Sequence, residues 1–280
     1  SRAELRLTPS ISIREEYNDN IFLTPDDRRD DFITTINPAI ALLYDKRLIS
    51  LSLDYGLILR YYSRDTERNE TALPQTQRAR LNATLSPYKE FIFIKLFDEY
   101  QRLIIDERRQ VAMENISINM TNTNHFIVNP YIEYPLTRTF KARVGYSYEN
   151  LWYEEEEGDD TENNSATFNI MKELSPKVTT SLSYTYLLHR PKRTDIYDRQ
   201  DISLNIAYKI GPRLTLNGTI GQIWFDYEKR DDINSSNMDI QANYLLTELL
   251  SITGGYSVTY SESVNFGTYS SNASKVTFGY

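Results

Sequence analysis

The sequence predicts an all-β fold, a transmembrane, antiparallel, up-and-down β-barrel of about 14 strands. Three observations predict it: apolar and polar residues alternate along the chain, short and long connections alternate between the predicted strands, and 22 of the 280 residues are tyrosine. A period of two is the pattern of a strand with one apolar and one polar face. Short turns on one side and long loops on the other are typical of outer-membrane barrels.

Composition argues against several other classes of protein. No apolar run reaches the roughly 18 residues of a transmembrane helix. The net charge of -8 argues against a nucleic-acid partner. The chain has no cysteine, no glycine-rich phosphate loop and no Cys/His cluster, so we expect no cofactor and no metal. We expect a secretory signal peptide to have been removed before Ser1.

The first three predicted strands show the alternation clearly. Leu5, Leu7, Ile11 and Ile13 share one face of the first strand, and residues 32–44 repeat the pattern in the second. After a tight turn at 45–47, residues 50–61 continue it in a strand of about fifteen residues. That length is long for a globular sheet but suits a tilted membrane strand that extends beyond the bilayer.

The later strands keep the same pattern. Alternating segments run over 79–85, 126–134, 140–148, 178–186, 202–210, 214–220, 238–246, 250–260 and 274–280. Residues 91–97 are apolar on both faces except for Lys95, which predicts a bulge or a contact inside the barrel. Residues 106–124 are ambiguous between a loop that folds inward and an extension above the membrane.

The connections fix the strand count and the side on which the chain begins and ends. Short links are expected near 45–47, 87–90, 135–139, 174–177, 210–213 and 246–249. Long polar links are expected near 19–31, 64–75, 106–122, 154–163, 190–199, 229–236 and 263–272. Thirteen links imply 14 strands in a single domain, 1–280, with both ends on the short-turn side.

The polar faces of such a barrel would line its interior. A barrel of this size is about 25 Å across, too wide for small side chains to fill. The pore-lining candidates are Arg14, Asp54, Arg60, Arg78, Arg80, Glu133, Lys141, Arg143 and Glu149. The inward arginines, which include Arg6, have two interpretations. They form a basic wall that attracts anions such as acidic sugars, or they are paired with Glu4, Glu16, Asp54, Glu133 and Glu149. Tyr62 and Tyr131 offer stacking surfaces for sugar rings.

Two further patterns each have a functional and a structural interpretation. The acidic runs 26–31 and 154–160 either bind a divalent cation or are solvated loops, and no known ligand spacing is present. His125 and His189 suit a barrel-wall hydrolase, but no nucleophile is marked and no acidic partner stands at strand spacing. We therefore predict that the protein is not an enzyme.

Several segments resemble one known family. Residues 13–23, Asp31-Phe32-Ile33-Thr34, Asn37-Pro38, 126–134 and Gly145-Tyr146-Ser147-Tyr148 are similar to outer-membrane β-barrel proteins often encoded near exopolysaccharide and exosortase gene clusters. The resemblance spans essentially the whole chain and implies a bacterial outer-membrane location and a role in polysaccharide export. It supplies no catalytic residues. The final strand also resembles the signal that barrel-insertion machinery reads, with Val276, Phe278 and Tyr280 on one face.

The leading functional hypothesis is a porin-like channel that passes a polar solute or an exported polysaccharide. An alternative is a sheath around a periplasmic export protein or a multihaem cytochrome, with Phe91 and Phe93 facing the inserted chain. A barrel-wall hydrolase is the third. The expected partners are outer-membrane lipid, the insertion machinery and an export partner, with no nucleic acid.

Overall fold

The computed structural model describes residues 4–22, 26, 28–88, 91–104, 120–247, 250–263 and 267–279. Fifteen strands lie in this part: β1 Glu4–Asn18, β2 Asp31–Lys46, β3 Ile49–Leu57, β4 Leu59–Tyr62, β5 Gln77–Tyr88, β6 Ile92–Ile104, β7 Met120–Thr137, β8 Phe140–Tyr153, β9 Thr161–Ser175, β10 Val178–Pro191, β11 Tyr197–Lys209, β12 Leu214–Tyr227, β13 Ile233–Leu245, β14 Ser251–Ser263 and β15 Gly267–Gly279. A 3-10 helix, Thr66–Arg68, and a short α-helix, Leu73–Thr76, lie between β4 and β5. None of the helices in the described residues is long and apolar enough to cross a membrane.

Hydrogen-bonded neighbours in the sheet follow chain order from β1 to β15, and β4 pairs with β2 beside β3. Ala39 of β2 pairs with Gly56 of β3, and Ile36 of β2 pairs with Leu59 of β4. The register therefore does not change between β3 and β4, which form one long strand interrupted at Ile58. Counted in this way the described sheet has 14 strands, and the predicted all-β, antiparallel, up-and-down fold is confirmed.

The chain divides into two compact units. Unit 1 comprises residues 1–129 and 149–162, and unit 2 comprises residues 130–148 and 163–280. The single domain over 1–280 stays a prediction.

Apolar side chains on the predicted apolar face of the strands are exposed. On the predicted apolar face, Leu5 and Ile11 of unit 1 are 67% and 69% exposed, and Val144 and Ile220 of unit 2 are 57% and 56% exposed. Only eight apolar residues are buried in the described part of the chain. A soluble sandwich would bury its apolar face against a second sheet. The apolar face is instead left exposed, as the lipid-facing side of membrane strands requires.

The apolar face of β11 has the height of a membrane strand. Its apolar face runs from Ile202 to Tyr208 and continues at Ile210, directly after the strand, which spans about 27 Å at roughly 3.4 Å per residue. A tilt of about 40° reduces this to about 21 Å, close to the roughly 25 Å apolar band of outer-membrane barrels. Beyond Ile202 the same face becomes polar at Gln200 and Asp198.

The buried apolar residues concentrate where strands meet long loops. In unit 1, Ile21, Ile33 and Tyr62 form one cluster. In unit 2 the cluster consists of Tyr197, Ile223, Phe225 and Tyr227, with Leu187 and Ile233 packed against it. The Tyr197 and Phe225 ring centroids lie 5.3 Å apart at 67°, an edge-to-face contact of the kind worth about 0.5–1.5 kcal/mol. These clusters pack the loop ends as a water-soluble protein packs its core.

The structure differs from the prediction at two connections. The predicted long link at 263–272 is wrong, because β14 and β15 pair as far as Ser263 and Gly267 and leave only three residues between them. Polar Ser and Thr residues there pair as strands, since polarity alone does not end a strand. A register shift between Leu85 and Tyr88 marks an irregularity of β5 against β6, close to the predicted bulge.

Parts of two predictions lie outside the described residues. Of the predicted insertion signal, Tyr280 and the side chains of Val276 and Phe278 lie outside the described residues. The backbone of Val276 and Phe278 lies in β15. Of the ambiguous segment 106–124, the described residues 120–124 belong to β7.

Candidate functional site

The polar face of unit 1 brings three pore-lining candidates together. Asp54 of β3 lies directly opposite Arg80 of β5, and Gly56 lies opposite Arg78. Directly opposed residues of antiparallel strands share a face. Asp54, Arg78 and Arg80 line a cavity of about 400 Å³ in this unit.

Five of the six arginines that the sequence places on the polar face are paired with carboxylates. The pairs are Arg6–Glu4 at 3.1 Å, Arg14–Glu16 at 3.5 Å, Arg60–Glu70 at 2.6 Å, Arg80–Glu99 at 3.3 Å and Arg143–Glu133 at 3.0 Å. Arg78 is the exception, since its side chain makes no ion pair or hydrogen bond within the described residues. Three of these pairs use the carboxylates that the paired interpretation names, Glu4, Glu16 and Glu133, whereas Arg60 and Arg80 pair with others. Arg78 stands apart from these pairs.

Glu70 connects two arginines at the loop end of unit 1. Its carboxylate is 3% exposed and accepts hydrogen bonds from Arg60 Nη1 at 2.6 Å and Arg102 Nη1 at 3.1 Å. The backbones of Arg60 and Glu70 also pair as an isolated bridge. A buried carboxylate needs such partners, because an unpaired buried charge is costly. No pattern in the sequence marks this residue, since it lies in a loop without alternation.

In unit 2, Arg143 connects Glu133 and Tyr131. Its Nε donates to Glu133 Oε2 at 3.0 Å, and its guanidinium lies 4.7 Å from the Tyr131 ring centroid. One face of the Tyr131 ring is thus covered by a cation. Lys141 is an exposed residue of the same strand as Arg143, two positions earlier, and so shares its face.

Tyr62 is less accessible than Tyr131. It is 2% exposed and packs with Ile21 and Ile33. Burial raises the pKa of its phenol, and the Glu70 carboxylate acts in the same direction.

His125 has an acidic partner on the neighbouring strand, which the spacing within its own strand could not indicate. Its Nε2 lies 2.6 Å from Glu149 Oε1 across β7 and β8. The Phe97 ring meets the imidazole edge-on at 5.4 Å. The residues are 24 apart in sequence, and only the strand register brings them together. No hydroxyl forms a hydrogen bond with His125 within the described residues.

His189 is held by different contacts in unit 2. Its Nδ1 lies 2.7 Å from Asn163 Oδ1, and its ring stacks on Tyr197 at 4.4 Å. This places it beside the aromatic cluster at the loop end. The hydrolase hypothesis gains the His125–Glu149 pair of unit 1, in which His125 has no hydroxyl partner within the described residues.

Most of the polar face of unit 2 is uncharged. Amide and hydroxyl side chains there bond across neighbouring strands, in the pairs Thr167–Thr185 at 3.3 Å, Asn169–Ser183 at 2.6 Å, Asn205–Thr219 at 2.7 Å and Asn243–Thr253 at 2.9 Å. Such groups donate and accept hydrogen bonds with equal ease. This face is therefore suited to water and to hydroxyl-rich solutes.

Carboxylates of the acidic run 154–160 accept hydrogen bonds from neighbouring groups of the protein. Asp160 Oδ1 accepts the backbone N–H of Tyr153 at 2.7 Å, and Asn122 Nδ2 donates to the Glu154 carboxylate. Burial raises the pKa of Tyr153, with a further contribution from Asp159 and Asp160. Within the described residues no three His, Cys, Asp or Glu side chains are grouped to hold a metal ion.

Comparison with known proteins gives structural matches only. No protein-family model matches the sequence, and no curated protein sequence matches it. A bacterial polysaccharide outer membrane secretin is similar with a TM-score of 0.55 and 10% identity, over 99% of this chain and 96% of that one. The FrpB iron transporter (F3-3 variant) of Neisseria meningitidis is similar with a TM-score of 0.54 and 12% identity, over 94% of this chain and 47% of that one.

This chain spans about half of the length of the iron transporter and nearly all of the secretin. Neither match names the family associated with exopolysaccharide gene clusters. At such low identities the likeness concerns the fold alone. The exposed apolar face, the 14-strand antiparallel sheet and these matches together establish the fold of the outer-membrane β-barrel proteins.

Proposed function

We propose that this protein is a porin-like channel of a bacterial outer membrane that passes a polar solute or an exported polysaccharide. The observation that carries the proposal is the division of the strands into an exposed apolar face and a polar face whose side chains bond to one another. Lipid covers the first face, and the second lines a water-filled path. Such a path needs no catalytic group, so we propose a channel and not an enzyme.

The chemistry of the polar face favours a hydroxyl-rich solute. In unit 2 it presents amides and hydroxyls, as at Asn205–Thr219, and in unit 1 it presents guanidinium groups such as Arg78. Each of these groups exchanges hydrogen bonds between water and sugar hydroxyls. Polysaccharide export is supported by the sequence resemblance and by the name of the secretin that shares the fold.

The test is conductance of the purified, refolded protein in a planar lipid bilayer. Steady single-channel conductance is expected, with a decrease when a neutral oligosaccharide enters from one side. Protein denatured before addition is the control and should give no steps. Insertion confirmed by protease protection, without any conductance, would contradict the channel proposal.

A sheath is the second candidate, and apolar residues on the polar face of β6 favour it. Phe93 and Phe97 share that face with Lys95, whereas Phe91 lies in the preceding turn, where its N–H donates to the Tyr88 carbonyl at 2.9 Å. Large apolar groups in a lumen suit a bound protein chain. Stable co-purification of an export protein or a haem protein with a non-conducting barrel would select the sheath over the channel.

A further inference from the structure

The 400 Å³ cavity of unit 1 has a floor of small residues. Ala39 and Ala41 of β2 lie beside Gly56 and Asp54 of β3, as their register shows. Because Ala39, Ala41 and Gly56 carry little or no side chain, a depression opens in the polar face beside Asp54. Its walls are side chains of neighbouring strands, with Ser10, Asp54, Arg78, Arg80, Glu99 and Gln101 among the lining residues.

Arg78 is the uncommitted cation of this cavity. Its Nε lies 3.2 Å from the position that a Cβ on Gly56 would occupy, so the side chain lies along the glycine. Within the described residues it has no carboxylate or hydrogen-bond partner, and it is exposed. A planar guanidinium in this state can receive a carboxylate through two parallel hydrogen bonds.

Asp54 is the uncommitted anion of the same cavity. Its direct cross-strand neighbour, Arg80, is instead paired with Glu99 at 3.3 Å and lies 5.5 Å from the Phe97 ring. Asp54 itself has no ion pair or hydrogen bond in the described part of the chain. Asp54 and Arg78 are diagonal neighbours, with Cα atoms about 7–8 Å apart by strand geometry. One ligand can therefore contact both groups.

We propose that this cavity binds a sugar acid, with the ligand carboxylate on Arg78 and ligand hydroxyls donating to Asp54. The proposal rests on the channel function and names the class of solute that the channel selects. A neutral sugar leaves the Arg78 guanidinium without an anion, and a small carboxylate leaves Asp54 without a donor. An α-amino acid, with its carboxylate on Arg78 and its ammonium on Asp54, is the competing ligand, and alanine tests it.

The probe is D-glucuronate, titrated by calorimetry into the full-length protein in detergent micelles. Glucose, acetate and alanine serve as comparison ligands at the same ionic strength. Glucuronate is expected to bind at least tenfold more tightly than any of them. Equal binding of acetate or alanine would overturn the assignment to sugar acids, and no glucuronate binding would overturn the site.

Variants locate the site within the protein. Arg78→Gln should weaken glucuronate binding at least tenfold, and Asp54→Asn should weaken it severalfold while leaving acetate binding unchanged. Arg6→Gln is the matched control, because it removes one positive charge from the polar face at a residue paired with Glu4 outside this cavity. Equal loss in the Arg6 variant would show attraction by overall charge and overturn the proposal. Folding of each variant is checked by the gel mobility of unheated samples.

The same material separates this proposal from the channel proposal. Binding is measured in micelles and does not require conduction. A protein that conducts but does not bind glucuronate contradicts only the site. A protein that binds glucuronate through Arg78 but never conducts contradicts only the channel.

Discussion

Asp31 orders the loop end of unit 1 through a single buried carboxylate. It is 0% exposed and accepts the backbone N–H groups of Phe32 at 2.8 Å, Arg64 at 3.0 Å and Asp65 at 2.9 Å. The start of β2 is thereby tied to the loop that follows β4. A buried acceptor with three donors is worth more than any one bond, because its removal leaves N–H groups unsatisfied.

Asp31→Asn should open this loop. The amide of asparagine turns a donor toward one of the three N–H groups, which costs about 2 kcal/mol locally. Trypsin cleavage after Arg64 or Arg68 should then accelerate about 30-fold. Asp30→Asn is the control: Asp30 pairs with the exposed Arg64 side chain, and its loss should cost less than about 1 kcal/mol. Equal cleavage of the two variants would contradict the role of Asp31.

Ionisation of the Tyr62 phenol should limit the stability of the fold at alkaline pH. Its pKa is raised by burial, so below about pH 10 the phenol is protonated in both folded and unfolded chains. Above that pH the unfolded chain ionises first, and the free energy of unfolding falls as the pH rises. In the Tyr62→Phe variant, the free energy of unfolding measured by urea denaturation should fall less steeply between pH 9 and 11. Identical pH slopes for the two proteins would show that Tyr62 does not contribute.

At the scale of the element, a charge on either face of β3 tests the membrane orientation. Leu53 lies on the apolar face and is 37% exposed. Leu53→Arg should cost about 2–4 kcal/mol if the residue is near mid-bilayer. The neighbouring Ser52→Arg places the same charge on the polar face and should cost much less. Unfolding by urea from lipid vesicles measures both, and the reverse order would mean that the faces are exchanged.

The elements themselves were predictable because alternation is local. Leu51, Leu53 and Tyr55 define a face without any knowledge of the neighbouring strand. The phase predicted for β3 agrees with the exposure of Leu53 and Tyr55. Where polar residues continue a strand, as at Ser261–Ser263 and at 268–271, the pattern carries no signal and the prediction fails.

Pairings within the site depended on register, which a single strand does not reveal. Arg6–Glu4 and Arg14–Glu16 are two residues apart on one strand, so sequence spacing was sufficient. Arg80–Glu99 and His125–Glu149 join different strands, and a shift of one residue would move either partner to the opposite face. These pairs therefore required the structure.

For the whole molecule, the pairing of arginines predicts weak ion selectivity. Each paired arginine on the polar face has a carboxylate of opposite charge beside it, and the two charges cancel most of each other's field at a distance. The reversal potential in a tenfold KCl gradient should lie near zero. A strong chloride preference in the unmodified protein would contradict this cancellation.

Removal of one carboxylate should shift that balance. Glu99→Gln leaves Arg80 without its partner and should move the reversal potential toward chloride. Glu155→Gln, in an exposed loop position, removes the same charge away from the polar face and should leave the potential unchanged. Equal shifts in both variants would show that surface charge, and not the lining, sets selectivity.

The contact between Gly56 and Arg78 has an evolutionary consequence. A Cβ on residue 56 would stand 3.1 Å from Ala39 Cβ and 3.2 Å from Arg78 Nε, so position 56 accepts a side chain only if a neighbour yields. Sequences descended from the same ancestor should therefore change the two positions together. Lineages that keep arginine at 78 should keep glycine at 56, whereas a larger residue at 56 should accompany a shorter one at 78.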